Sequence, residues 1–323
     1  MRFPALGLLW LALVIFPLAA LGQSVPWPTK SIRAIVPFAP GAAADTAGRA
    51  VLERLSKQLG QPIVVENRPG AGGTTGSDAV AHAKPDGYTI LVHSNSHTVA
   101  GSVYRNLNYD PAADLTGVTP LVSMSQVFVT SSANGIKTLR DLVDIAKAKP
   151  GSINYASAGN GSATHLGAER LRIAGGFTGT HIPLKATSEA LTEVLAGRVD
   201  YFLSPIGLVT PFLKSGKLVA LAVASAKRSR ALPEVPTTSE AGLPNAEYDG
   251  WIGMFVPSKT PRDIISRLNE ETAHALRSPE VLARLETLVM SPMILSPEGF
   301  AVLLKNDFEL NATLVKAAGL RPN

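Results

Sequence analysis

Two short stretches of this sequence carry residue types able to grip a negative group without a cationic side chain. The first is Pro37-Phe38-Ala39-Pro40-Gly41-Ala42-Ala43-Ala44-Asp45. The second is Tyr155-Ala156-Ser157-Ala158-Gly159-Asn160-Gly161-Ser162-Ala163-Thr164-His165. In both, a strand-like run passes into a helix-like run through glycine and alanine. Small side chains leave backbone N–H groups reachable there, and a helix start carries unpaired donors with roughly half a positive charge. The second stretch adds hydroxyls from Ser157, Ser162 and Thr164, which can donate to a carboxylate directly or through water. A plainer reading of the first stretch is a tight turn in which Asp45 caps the helix. A matching pair, one in each half of the chain, points to an anion held between two lobes.

Rival chemistries fare worse. Ser162 and His165 invite a periplasmic serine hydrolase acting on a small ester or amide. The Gly-x-Ser-x-Gly elbow is missing, however, and residues three apart on one helical turn suit a cap better than a triad. Six histidines are present, His82, His93, His97, His165, His181 and His274, without the spacing of a metal-ligand helix. Gly70–Gly76 lacks the G-x-G-x-x-G spacing of a dinucleotide loop and reads as a turn. No catalytic residue, metal or cofactor is expected.

The elements that must position the two junctions alternate along the chain. Ser31–Phe38 and Pro62–Glu66 read as strands around a helix over Ala44–Leu59, whose Ala47, Val51, Leu52, Leu55 and Leu59 share a face. Ser77–Ala83 reads as a helix and Tyr88–Val92 as a third strand. The middle repeats this grammar, with strands at Gln126–Thr130, Asn154–Ser157, His181–Leu184, Val199–Leu203 and Leu218–Ala224. Helices lie between them at Leu139–Ala148, Ser162–Ile173, Glu189–Leu195 and Thr210–Lys214. Leu232–Tyr248 is a long connection, Trp251–Pro257 a strand, and three helical segments follow, the first opened by Pro261 and the last by Pro297. Short buried strands separated by helices imply a parallel, helix-covered sheet. Ligands of such sheets sit beyond the carboxyl ends of the strands.

Bulk properties set the compartment. Met1-Arg2, the apolar run Leu6–Ile15 and the small residues Pro17–Gly22 have the form of a secretory signal peptide, residues 1–23. The apolar run is about 10 residues, against roughly 20 needed to span a bilayer. The remaining chain exceeds what one core usually serves, so two lobes are expected. Cysteine is absent, which excludes disulfides, thiol catalysis and a lipid anchor on cysteine. The net charge of +5 comes from scattered basic residues. Only Lys227-Arg228-Ser229-Arg230 cluster, as a solvated turn, and no basic stripe with stacking aromatics suggests nucleic acid.

Six motifs, in order, carry a resemblance over essentially the whole mature chain: WPTKSIRAIVPFAPG (Trp27 to Gly41), VVENRPGAGGTTG (Val64 to Gly76), KPDGYTIL (Lys84 to Leu91), YASAGNGSATHLGAE (Tyr155 to Glu169), LTEVLAGRVD (Leu191 to Asp200) and LAVASAKRSRALPEVPTTSEAGLP (Leu221 to Pro244). The sequence resembles the periplasmic receptors of the tripartite tricarboxylate transporters, the Bug receptors. That resemblance implies an α/β, two-lobed type II periplasmic-binding-protein fold with crossover strands as hinge. One lobe would combine residues 24–124 and 251–323, the other residues 125–250. One ligand carboxylate would be held by Phe38, Ala39, Gly41, Ala42, Ala43 and Asp45 and by Ser157, Gly159, Asn160, Gly161, Ser162, Thr164 and His165. Ser94, Asn95, Lys185, Ala186, Thr187, Ser188 and Ser204 would read the remainder. The protein would act as a monomer that passes a small carboxylate to a membrane permease or reports it to a sensor kinase.

Three departures from the family pattern bear on the ligand. Gly41-Ala42 stands for Gly-Gly, Leu184-Lys185-Ala186 for Tyr-Lys-Gly, and Ser204 where many members carry Asp. Without that Asp, a dicarboxylate or aromatic acid is expected rather than an amino acid.

Overall fold

The computed structural model describes residues 27–320; the signal peptide read at residues 1–23 lies outside them. The chain begins with β1 (Ile32–Val36), α1 (Ala43–Leu59), β2 (Ile63–Asn67), α2 (Thr74–Ala81) and β3 (Thr89–Ser94). A 3-10 turn over Asn95–Val99 runs into the short α3 (Ala100–Val103), and β4 (Leu115–Met124) follows. After the single residue Ser125 come β5 (Gln126–Ser131), α4 (Leu139–Ala148), β6 (Ile153–Ser157), α5 (Ala163–Gly175) and β7 (Gly179–Pro183). Next are α6 (Thr187–Leu195), β8 (Tyr201–Pro205), α7 (Ile206–Lys214) and β9 (Leu218–Val223). The chain then returns through β10 (Gly250–Pro257), α8 (Arg262–Leu276), α9 (Pro279–Thr287), β11 (Ser291–Pro292) and α10 (Pro297–Ala317).

Local chemistry explains most of these boundaries. The apolar face of α1 is buried through Ala47, Val51, Leu52 and Leu55, and Gly60 ends the helix at φ 66°. A capping box starts α4: Thr138 accepts from the Asp141 N–H, and Asp141 accepts from the Thr138 N–H. Ser278-Pro279 and Ser296-Pro297 open α9 and α10 in the same way, serine capping and proline at the first helical position.

The strands form two sheets, ordered β11-β4-β10-β3-β1-β2 and β7-β6-β8-β5-β9. They are mixed, which corrects the expectation of a purely parallel sheet. β1, β2 and β3 run parallel, as do β6, β7 and β8, but β10 is antiparallel to β3 and β4, and β5 is antiparallel to β8 and β9. The cause is the crossover: a chain that leaves one sheet at its carboxyl edge enters the next at that edge and must run backwards. β4 was also not legible in the sequence, because Gly117 and Pro120 interrupt its pattern. Pro120 lies at a shift in the β4–β10 register, where its missing N–H breaks no ladder.

The topology brings two edges together. In the first sheet Met124 pairs with Gly250 and Ser94 with Ile252. One residue past Ser125, Gln126 pairs with Pro205 and Val127 with both Ser204 and Val223. The carboxyl ends of β1 and β3 and those of β6, β7 and β8 therefore lie on edges that meet at the crossover. The return path stays close, with the Ala224 N–H on the Gln126 carbonyl (2.8 Å) and the Tyr248 N–H on the Ala224 carbonyl (2.7 Å).

Two segments cross this division. Val99 and Val103 pack in the core of the second sheet with Leu142, Leu166 and Leu171. So do Leu314 and Val315 near the end of α10, whereas Phe300 and Leu304 near its start pack with Trp251 and Phe255 over the first sheet. Val289 makes a further link. It occupies the left-handed position after α9, φ 54°, where glycine is usual, with the Met290 N–H on the Leu285 carbonyl (2.9 Å). That conformation costs an L residue about 1–2 kcal/mol, offset by packing of the side chain on the cluster around Ile206 and Val209.

Candidate functional site: two helix starts at a crossover

The first loop leaves β1 through buried Pro37 and enters α1 without a side-chain cap. The Ala42 N–H is taken by the Ala39 carbonyl (3.1 Å), while those of Ala43, Ala44 and Asp45 have no acceptor among the described residues. Gly41 sits at φ 82° with nothing within 4 Å of where a Cβ would project, so the turn and not crowding calls for glycine. Phe38 is half-buried, its ring edge-on to His93 at 5.2 Å.

Asp45 does not face a ligand. Its side chain is 5% exposed and accepts from the Gly41 N–H (2.9 Å), Arg49 Nε (2.8 Å) and Asn67 Nδ2 (2.9 Å). Asn67 also donates to the Phe38 carbonyl (3.0 Å), tying the loop to β2. Burial pushes the Asp45 carboxyl up, but the three donors outweigh it and hold the group below the usual range. Asp45→Ala leaves Arg49, Asn67 and the Gly41 N–H without their common partner, although water can reach the exposed Arg49 and Gly41. We expect a loss of about 1–2 kcal/mol in urea unfolding; a loss below about 0.5 kcal/mol would show the carboxylate to be dispensable.

The second loop holds itself in shape. Ser162 caps α5 by accepting from the His165 N–H (3.2 Å). Thr164 Oγ1 accepts from the Ala158 N–H (2.9 Å), Ser157 Oγ from the Gly159 N–H (3.1 Å), and His165 Nδ1 from the Gly161 N–H (3.1 Å). The Ser162 N–H goes to the Gly159 carbonyl (3.2 Å). Asn160, Ala163 and Thr164 keep backbone N–H groups with no acceptor among the described residues. The hydroxyls of Ser157, Ser162 and Thr164 thus shape the loop, and Ser157 and His165 are almost wholly buried.

His181, which sequence reasoning did not single out, lies beside this loop. β6 and β7 place it opposite Tyr155, where its Nε2 lies 2.6 Å from Ser157 Oγ. Its ring stacks on His165 at 3.7 Å and 5°, and on Tyr155 at 5.2 Å. Burial lowers the His165 pKa to about 3, with help from His181 and Arg172, and burial lowers that of His181 to about 4. Ser162 does not touch the His165 ring nitrogen expected of a base, which already accepts from Gly161. The Ser–His contact that does exist, Ser157 with His181, joins a buried serine to a half-buried ring on the edge strand β7. Neither arrangement makes an oriented triad.

The remaining expected residues end or follow strands β3, β7 and β8. Ser94 pairs its hydroxyl with Ser96 (2.8 Å), and buried Ser204 donates to the Pro205 carbonyl (3.2 Å). Lys185 is exposed beyond β7; Ala186 precedes α6 in extended conformation, and Thr187 and Ser188 begin that helix. The Lys185 N–H is held by Glu189 (3.1 Å). Asn95 is the exception. It lines a cavity of about 320 Å3 beside the hinge, with Arg170, Tyr248, Trp251, Asp307 and Asn311. Of the expected site residues only Asn95 reaches that space.

A family model described as the tripartite tricarboxylate transporter family receptor matches residues 47–320. The chain belongs to this family. Protein BugT of Bordetella pertussis is 32% identical over 318 residues, 96% of this chain and 98% of its own. A Rhodopseudomonas palustris protein solved with adipate superposes with a TM-score of 0.81 at 30% identity, covering 92% of this chain and all of that one. MatC of the same organism, solved with bound malate, gives a TM-score of 0.76 at 32% identity over 90% of this chain and all of its own. The family is one of two-lobed solute receptors, and among the described residues no helix is long and apolar enough to cross a membrane.

Proposed function

We propose that the chain is an exported receptor that captures a small dicarboxylate between its lobes. It delivers the ligand to a membrane permease of the tripartite tricarboxylate class or reports it to a sensor. The observation that carries this reading is the pair of helix starts, α1 and α5, each with three spare backbone N–H groups and each at a carboxyl edge that meets the other at Ser125. Adipate and malate in two relatives of similar fold support the ligand class. No covalent step is required. An open form admits the anion, and closure is favoured because only the closed form engages both donor sets.

Ligand choice rests on Ser204. It is buried beside the crossover and uncharged, so nothing at that position would balance an ammonium group. Calorimetric titration with malate, adipate, benzoate, aspartate and glutamate tests the reading, and tighter binding of the amino acids would overturn it. Ser204→Asp is expected to weaken the bound dicarboxylate by at least about tenfold, ~1.4 kcal/mol, through like-charge repulsion. Unchanged affinity would remove Ser204 from the site.

A further inference from the structure

The second anion loop is supported from beneath by an unusual pair of groups. His165 and His181 lie in parallel contact, 3.7 Å between ring centres, on different elements of the second lobe. Each touches the loop at a defined atom. His165 Nδ1 receives the Gly161 N–H at 3.1 Å, and His181 Nε2 meets Ser157 Oγ at 2.6 Å. Ser157 Oγ in turn lies 3.1 Å from both the N–H and the carbonyl of Gly159. Gly159 and Gly161 both take positive φ, 112° and 72°, and bracket Asn160, whose N–H is one of the spare donors.

We propose that His165 and His181 are positioning residues of this receptor: an uncharged imidazole pair that holds Gly159 and Gly161 in the shape that offers the loop's free N–H groups to an anion. The proposal rests on the carboxylate-receptor reading and extends it to the group that sets the loop geometry.

The chemistry is restrictive. A ring nitrogen that accepts from the Gly161 N–H carries no proton, so His165 is the tautomer protonated at Nε2. Protonating Nδ1 would set two N–H groups against each other and release Gly161. Two imidazolium rings stacked at contact distance would also repel strongly. The neighbours leave no compensating anion on the pair. Tyr155 stacks on both rings from β6, and Tyr201 from β8 stacks on Tyr155. The nearby carboxylate, Glu169 on α5, is engaged by the Tyr155 hydroxyl and by Arg172 (2.6 Å). Arg172 itself disfavours a charged His165.

The result is a receptor whose affinity falls as the pair takes up a proton. Asn at position 165 offers a carbonyl oxygen near the place of Nδ1 and does not titrate, whereas Leu offers neither bond. Histidine-ring 15N shifts of the unliganded protein between pH 7.5 and 3.5, with the Gly161 amide followed in parallel, should show Nδ1 of His165 unprotonated at pH 7. The Gly161 amide should move when that nitrogen titrates. Titration with adipate and malate should then find His165→Leu at least about tenfold weaker at pH 7. His165→Asn should stay within about threefold of the parent and decline less steeply with acid, the ligands' own protonation being common to both proteins, with circular dichroism verifying the folded state at each pH. Nδ1 protonated at pH 7, or His165→Asn as acid-sensitive as the parent, overturns the proposal. If the parent binds neither acid, the receptor reading for these ligands fails, while the ring shifts still decide the role of His165.

Discussion

Gly161→Ala is expected to weaken adipate or malate binding by at least about tenfold and to lower stability by about 2 kcal/mol. Two separable costs add. At φ 72° an alanine sits in the left-handed region, a penalty of about 1–2 kcal/mol. Its Cβ would also stand 2.9 Å from Val103 Cγ2 and 3.2 Å from Cγ1. Val103 is not free to retreat, since it is fixed in the core of the second sheet. The loop has to move instead, and the Gly161 N–H then leaves His165. Gly41→Ala is the control. That glycine also has positive φ, 82°, but its Cβ would meet nothing within 4 Å. Only the conformational penalty applies, and the loop can relax into open space. Thermal unfolding and calorimetric titration of the two variants should therefore separate them clearly. Equal effects would show that Val103 does not confine the second loop.

The second large effect is acid lability. Four histidines are held neutral by burial: His93 against Phe38 of the first loop, His97 between His93 and Phe255, and His165 and His181 beside the second loop. His93 lies well below the ordinary value, His97 and His181 are lowered to about 4, and His165 to about 3. In the unfolded chain each titrates near 6.5, so between that value and the folded one the unfolded state binds more protons. Their contribution to stability is complete above about pH 6.5 and is lost as the pH falls through 4. Asp249, recessed at the hinge though reachable by solvent, works the other way. Desolvation and neighbouring Glu247 push it up to about 7, so it favours the folded state on mild acidification. Burial raises Asp307 as well, but two such groups do not balance four. The unfolding temperature is expected to drop by about 10 °C between pH 7 and pH 5. Scanning calorimetry at the two values checks it, and a flat profile would mean that these rings carry protons in the folded protein.

What the sequence reveals here follows from how local each feature is. Leu139–Ala148 was legible to the residue, because Thr138 and Asp141 cap it and Leu142, Val143 and Ala146 mark its buried face. β1 and α1 were nearly as plain, since apolar spacing and Gly60 lie within one short window. Leu115–Met124 was not, because its proline is tolerated only by a shifted register against β10, about 130 residues away. The anion loops could be found from small residues at strand-to-helix junctions. Their internal wiring could not: Asp45 turning inward depends on Asn67, and the role of His181 depends on its pairing with Tyr155 across β6 and β7. No spacing within either loop announces a partner supplied by another strand.

The last helix belongs to two cores at once, Phe300 and Leu304 in one and Leu314 and Val315 in the other. Between them Asp307 accepts from Trp251 Nε1 (2.6 Å), and Asn311 joins the Tyr248 hydroxyl to Thr98. Such a rod acts as a torsion bar. Rotation of one lobe against the other would have to twist a helix anchored at both ends, so the strands of the crossover do not bear that load alone.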